Sequence, residues 1–280
     1  YETCDLSDPS APCTISGKTY VDKVSANGLG PVDVHFGAIT KQTSNFDQFK
    51  RICGVMGLLG NSNSNVFQSL VRGGAVSSNV WSMCLVPGSK GNGTLTFGGA
   101  DERLYSSPVR YTPNTGGSYY AMELSGGVKV GDTVVGSTAG KSAILDSGTN
   151  VLLLKNNDFA AMRTLFTSMC GSTNLHGVCD VDPSETLFDG KCLPFTEAQM
   201  ASFPNITIAV NGFDLTMHPR DYILPSDPRA TSPDQLCLGV RPSSLFIIGD
   251  TTMQNYYVVF DNENNQIGWA EVNRDNCGSI

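Results

Sequence analysis

Asp146, Ser147, Gly148 and Thr149 are the residues of this 280-residue chain whose types and spacing could do chemistry. They separate two apolar runs, Ala143-Ile144-Leu145 and Val151-Leu152-Leu153-Leu154. A carboxylate between two buried strands is expensive unless it is hydrogen-bonded or shared with a partner. Ser147 and Gly148 permit a tight turn that aims amides at Asp146, and Gly148 has no Cβ to block a close approach. The Thr149 hydroxyl can bond backbone across the site. Flanked on both sides by buried-strand sequence, the stretch reads as a site rather than an ordinary turn. Other chemistries lack their parts. His35, His176 and His218 are the only histidines, and none stands beside a Ser or Cys in a nucleophile elbow. Gly98-Gly99 and Gly126-Gly127 end strands and lead into no helix with Lys-Ser/Thr, so they are not phosphate loops.

The elements that must position this turn are strands. A length of 280 residues and 40% hydrophobic content allow a large core in one or two domains. Thirty glycines, fourteen prolines and only 16% charged residues suit a turn-rich β protein. The net charge of −8 argues against a nucleic-acid or anionic-membrane partner. An acidic surface with few bases is compatible with work in an acidic compartment. No apolar run approaches the length of a membrane span. The chain starts at Tyr1, so a targeting segment cannot be read from it.

Nine cysteines occur without Cys-x-x-Cys modules, so structural zinc is not indicated, and no metal or cofactor is signalled. Cys4 with Cys13, and Cys170 with Cys179, bound short loops that read as local disulfides. A metal set of Cys170, His176 and Cys179 is the alternative for the second loop. Cys53, Cys84 and Cys277 have no assigned partner, and the odd count leaves at least one thiol over. Sequons at Asn92-Gly93-Thr94 and Asn205-Ile206-Thr207 join the cysteines in pointing to an oxidising, secretory compartment.

Along the chain, residues 20–29 and 32–37 read as a hairpin. Residues 65–73 predict a short helix with Val66, Phe67, Leu70 and Val71 on one face and Gly73 as its stop. Residues 80–85 and 94–101 are strand candidates. The polar connection from Pro108 to Gly117 is the expected boundary between two lobes. Residues 119–124 open the second part, and 128–132 form a hairpin after it. Asn157 can cap a helix whose apolar positions Phe159, Met162, Leu165, Phe166 and Met169 recur at three- and four-residue intervals. The strongest hairpin signal is 206–210, Asn211-Gly212, 213–217. A short helical piece follows Asp250, and then two closing strands.

The stretch 143–154 resembles the second active-site loop of the pepsin-like aspartic endopeptidases, written apolar-apolar-Asp-(Thr/Ser)-Gly-(Thr/Ser). Phe246-Ile247-Ile248-Gly249-Asp250 resembles the family's apolar-apolar-Gly-Asp segment. Asn255 to Asp261 and Gln266 to Ala270 resemble its closing strands. Thr94 to Asp101 resembles its Leu-Xaa-Phe-Gly-Gly-Xaa-Asp segment. Cys53-Gly54-Val55-Met56-Gly57-Leu58-Leu59-Gly60 resembles its Gly-Ile-Leu-Gly-Leu-Gly segment, which read alone is a buried strand end. Tyr20 to Gly28 resembles the flap hairpin, Tyr-Gly-Asp-Gly-Ser, with Tyr20, Asp22 and Ser25 fitting while Val21 and Lys23 replace its two glycines. An ordinary hairpin with a structural Tyr is the alternative there. The resemblance covers the chain from Cys13 onward.

The resemblance implies a mostly β, bilobal pepsin-like fold with a few short helices. It implies an N-terminal lobe over 1–113 and a C-terminal lobe over 114–280, with a Cys192–Cys237 disulfide in the latter. It implies peptide-bond hydrolysis of a polypeptide substrate without a cofactor, in a secreted or lumenal, vacuole- or lysosome-like setting. Asp146 is then the second of two catalytic aspartates, supported by Ser147, Gly148 and Thr149. The first belongs in an Asp-Thr-Gly-Ser stretch upstream of the flap. Asp5 and Asp8 fit none, since they sit in a polar loop without an apolar strand or a following Gly. The expectation is an incomplete first lobe with exposed apolar surface. The missing part is expected on a separate N-terminal chain or segment, so the 280 residues alone should be inactive. The contrasting reading is a non-catalytic binding protein that uses the cleft as a recognition groove.

Overall fold

A computed structural model describes residues 14–42, 54–59, 65–87, 92–117, 119–136, 140–224 and 230–279. Cys4, Asp5, Asp8, Cys13 and Cys53 lie outside these residues, and with them the expected Cys4–Cys13 bridge. The chain divides into two compact units, residues 1–79 and 80–280.

In the first unit, β1 (Ile15–Ala26) and β2 (Leu29–Gln42) pair antiparallel as a long ribbon. Asn27 and Gly28 join them with φ of 47° and 83°. Positive φ at both positions is the twist-matched two-residue turn that Asn-Gly favours. Val32 and Val34 are buried on one face of β2. They lie on the side of α1 (Val66–Arg72), where a Cβ on Gly73 would stand 2.6 Å from Val32 Cγ1. The α1 start is capped by Asn65, whose Oδ1 accepts from Gln68 N at 3.1 Å. The buried face of α1 is Phe67, Gln68, Ser69 and Leu70, which differs from the expected apolar stripe. Gln68 can be buried because its Nε2 donates to Asn79 Oδ1 at 2.7 Å. Residues 54–59 form no strand, and Val55 is 74% exposed with Met56 and Leu59 also open. The reading of this segment as a buried strand end is therefore corrected.

The second unit contains, in order, β3 (Val80–Leu85), β4 (Gly93–Phe97), β5 (Arg110–Pro113), β6 (Ala121–Val130), β7 (Thr133–Val135), β8 (Ser142–Leu145) and β9 (Leu152–Lys155). Next come α2 (Asn156–Ser168), β10 (Cys192–Pro194), α3 (Glu197–Ala201), β11 (Ile206–Val210), β12 (Phe213–Met217), α4 (Pro219–Tyr222) and β13 (Ile223–Leu224). The last are β14 (Gln235–Leu238), β15 (Val240–Ser243), β16 (Ile247–Ile248), α5 (Asp250–Met253), β17 (Tyr256–Asp261) and β18 (Gln266–Glu271). One sheet runs β4-β3-β17-β18-β5 and is antiparallel throughout. It joins strands on either side of the Pro108–Gly117 connection. A larger sheet runs β12-β11-β6-β8-β16-β9-β15, with β7 on β6, and β10-β14-β13 form a third.

The chain is mostly β with a few short helices, in keeping with the expected fold class. Both faces of β17 and β18 are buried, which explains their near-continuous apolar sequence. Trp81 stacks on Phe260 with ring centroids 3.9 Å apart. Its Nε1 donates to Tyr120 Oη at 3.0 Å, and that hydroxyl donates to Asn262 Oδ1 at 3.0 Å. Hydrophobic aromatic surface is thus buried with its polar handles satisfied. In the β11–β12 hairpin only Gly212 takes positive φ, 87°, so this Asn-Gly pair turns differently from Asn27-Gly28. Asn157 lies inside α2 rather than capping it; Lys155 is the cap residue, and its side chain makes no capping bond.

Cys170 pairs with Cys179, and Cys192 with Cys237 across β10 and β14. The first bridge consumes both thiols of the alternative metal set. His176 instead sets Nδ1 2.7 Å from Asp180 Oδ2 and Nε2 3.1 Å from Pro194 O. Cys84 pairs with Cys277, 193 positions away, inside a buried cluster with Leu104, Tyr257, Val259 and Ala270. No helix among the described residues is long and apolar enough to cross a membrane.

Candidate active site

The turn at Asp146 is held by a strand threaded through it. β8 enters the turn and β9 leaves it, but the two do not pair with each other. β16 lies between them, parallel to β8 (Ile247 opposite Ile144, Ile248 opposite Leu145) and antiparallel to β9 (Ile247 opposite Leu153). Ala143, Leu145, Leu152, Leu153 and Leu154 are buried. Their packing fixes both ends of the turn. Leu145 N donates to Tyr120 O at 2.8 Å, and Asp146 N to Ile248 O at 3.1 Å. The turn closes on itself, with Thr149 N donating to Asp146 O at 3.1 Å.

Each carboxylate oxygen of Asp146 has a donor. Gly148 N donates to Oδ1 at 2.9 Å, and Thr149 Oγ1 donates to Oδ2 at 2.8 Å. A Cβ on Gly148 would stand 3.1 Å from Asp146 Oδ1, which gives the absence of a side chain there a physical reason. The Thr149 hydroxyl meets the Asp146 carboxyl rather than backbone across the site. Asp146, Ser147 and Gly148 are exposed, and Thr149 is half-buried. The premise that the carboxylate is buried between its strands is therefore corrected: the strands are buried, and the turn carries Asp146 out beyond them.

Gly249 and Asp250 form the other side of the turn. Asp250 N donates to Thr149 O at 2.8 Å. A Cβ on Gly249 would collide with the carbonyl oxygens of Thr149 and Val151, so the close backbone approach demands glycine. Asp250 opens α5, and its carboxyl is pushed up to about 7, first by burial and second by the negative charge of Asp146. Its Oδ1 is buried without a hydrogen-bond partner among the described residues. The Gly-Asp pair was visible in sequence as a motif, but the second carboxyl within the field of Asp146 was not. A two-residue strand with non-local partners leaves no periodic signal.

Tyr20, Asp22 and Ser25 lie together on β1 in the first unit. Tyr20 is opposite Phe36, with ring centroids 6.3 Å apart, and is 48% exposed. Asp22 is opposite Val34, so Tyr20 and Asp22 share the face that carries Val32 and Val34. Ser25 falls in a register shift between Val24 and Ala26. Val21 and Lys23 sit in regular strand, opposite His35 and Asp33, and Lys23 Nζ reaches Asp33 Oδ1 at 2.9 Å. No glycine is needed at either place, because the reversal is made at Asn27-Gly28.

A β-rich unit whose Asp-Ser-Gly-Thr turn is locked by a threaded Ile-Gly-Asp strand defines an acid-protease type of scaffold. The chain belongs to the eukaryotic aspartyl protease family, whose sequence profile matches residues 10–272. It is similar to cathepsin E of Mus musculus, 28% identical over 272 residues, spanning 92% of this chain and 63% of that protein. Pepsin A of Sus scrofa is 26% identical over 265 residues, spanning 92% of this chain and 64% of that protein. Pepsin A of Rhinolophus ferrumequinum is 24% identical over the same length and shares. The chain thus spans less than two thirds of the length of these relatives.

Proposed function

We propose that this chain is the larger part of an aspartic endopeptidase and that Asp146 is one of its two catalytic aspartates. The first aspartate of the pair comes from an upstream segment or a separate N-terminal chain, since no Asp-Thr/Ser-Gly precedes Tyr20. The observation that carries this reading is the Asp146 turn, with its carboxylate exposed and both oxygens oriented by Gly148 N and Thr149 Oγ1.

Two carboxyls at close range cannot both ionise, so the pair holds one proton. The ionised member takes a proton from a water held between the two. The protonated member donates to the scissile carbonyl oxygen, and the water adds to the carbon. The roles then reverse as the leaving nitrogen is protonated. Gly148 N and Thr149 Oγ1 keep Asp146 from rotating, which is the positioning this chemistry needs. Tyr20, Asp22 and Ser25 supply the hairpin that covers the substrate. The lobe division at 113/114 is part of the same reading. Three disulfides fit an oxidising extracellular or lumenal setting, and we assign the chain to a secreted or vacuole- or lysosome-like compartment.

The test is Asp146→Asn in the complete protein purified from its source. Peptide turnover should fall by about 10³-fold or more with folding unchanged; retained turnover rejects the assignment. The pure 280-residue chain should show no Asp146-dependent cleavage. A binding protein on the same scaffold is the alternative, favoured by the missing Asp-Thr/Ser-Gly. An upstream sequence that also lacks this motif would select it.

A further inference from the structure

We propose that Asn92 and Asn205 both accept N-linked oligosaccharide, and that Asn92 is the more fully occupied of the two. The inference rests on the lumenal reading above and concerns surfaces apart from the Asp146 turn. Each Asn opens an Asn-x-Thr sequon, and both are exposed in the folded unit. In the transfer, Asn Nδ2 attacks the anomeric carbon of a lipid-diphosphate-linked oligosaccharide. The carbon–nitrogen bond forms and the sugar–phosphate bond breaks. The lipid diphosphate leaves with the electron pair, and the amide proton passes to solvent.

The fold tolerates a glycan at both places. At Asn92 the carbonyl accepts from Val86 N at 2.8 Å. At Asn205 the carbonyl accepts from Gly131 N at 2.9 Å, and Oδ1 lies 3.1 Å from His218 Nδ1. All of these use oxygen atoms, and attachment at Nδ2 leaves every one in place.

The two sites differ in how long they stay open. The transferring enzyme needs an extended, unpaired acceptor. Asn205-Ile206-Thr207 leads into β11, which pairs with β6, made earlier, and with β12, which follows a two-residue turn. Thr207 Oγ1 is already engaged 3.2 Å from Thr216 Oγ1. The Cys192–Cys237 bridge closes around the site with a separation of only 45. Local hairpins form within microseconds, and a third strand makes them stable. Asn92 instead borders β4, which among the described residues pairs with β3 alone in a two-stranded hairpin, marginally stable until β17 arrives on the other side of β3. The further ties there, Gly278 N to Thr94 Oγ1 and Cys84 to Cys277, reach 184 and 193 positions downstream. At about 5–20 residues per second, the hairpin around Asn92 goes without these ties, and keeps opening, for roughly 10–40 s of synthesis.

The experiment uses the complete protein made in secretory eukaryotic cells, with peptide-N-glycosidase release in 18O water and peptide mass mapping of the total lysate. Both sites should yield labelled Asp, and the unmodified fraction at Asn205 should be several-fold that at Asn92. Cys237→Ser should raise occupancy at Asn205 and leave Asn92 unchanged; lysate sampling reports this even if the variant misfolds. Equal or higher occupancy at Asn205, or no response to Cys237→Ser, overturns the order. Two unmodified sites with the disulfides formed overturn the glycan proposal and leave the lumenal reading standing. Two unmodified sites with free thiols overturn the lumenal reading itself.

Discussion

Asp250 sits where a negative charge is hard to keep, half-buried with its Oδ1 out of reach of solvent and within the field of Asp146. Its carboxyl is raised from 3.8 to about 7, so between these values the folded chain binds a proton that the unfolded chain has released. The stability this group contributes is therefore fully present below about pH 4 and is lost as pH rises through about 7. A shift of that size is worth ~4 kcal/mol across the window. Asp250→Asn cannot ionise and should match the parent near pH 4. At pH 8 it should exceed the parent by up to ~4 kcal/mol. Urea unfolding at both pH values reads the difference, and a gap that does not widen with pH refutes the account. Of the site's residues, Asp146, Gly148 and Thr149 were legible in sequence because the turn and both flanking strands are contiguous. The exposure of Asp146 was not, because apolar neighbours report burial of their own side chains and not of the turn between them. Asp250 was legible as a motif alone, since its place in the field of Asp146 depends on a strand folded back from a hundred residues later.

At the scale of elements, α2 has a weak start. Lys155 holds the cap position with φ −57° and ψ 144°, and the first amides of the helix receive no side-chain acceptor from it. Lys155→Ser should supply one and stabilise the protein by about 0.5–1 kcal/mol, measured as a shifted urea midpoint at constant slope. A midpoint unchanged or lowered would show that the Lys155 side chain matters more than the cap. The helix itself was legible from the spacing of Phe159, Met162 and Phe166, all buried. The cap was not, since Asn157 is a good cap residue by type while the backbone leaves β9 two positions earlier. In α1 the buried pair Gln68 and Ser69 was illegible for a related reason. A polar side chain declares no burial until its partner, here Asn79, is known.

Across the whole of the second unit, the Cys84–Cys277 bridge ties the first strand to the last turn. Nothing in the spacing of nine cysteines singles out a pair 193 positions apart, so this bond became visible only in the fold. Removing so long a cross-link with Cys84→Ala and Cys277→Ala together should destabilise the protein by about 2–5 kcal/mol on a chain-entropy account. For a unit of this size that is a fall in Tm of roughly 10 °C, read by thermal unfolding without reductant. A Tm unchanged by the double substitution would assign the stability to the surrounding cluster of Leu104, Tyr257 and Val259 alone. The same bond also makes the unit a closed ring under load. Tension applied between residue 80 and the C-terminus passes through one covalent link, and the segment inside it carries no force. About 65 nm of chain is hidden in that way. A stretching experiment should find the second unit nearly inextensible until a reducing agent opens the ring, and only then a single long gain in contour length.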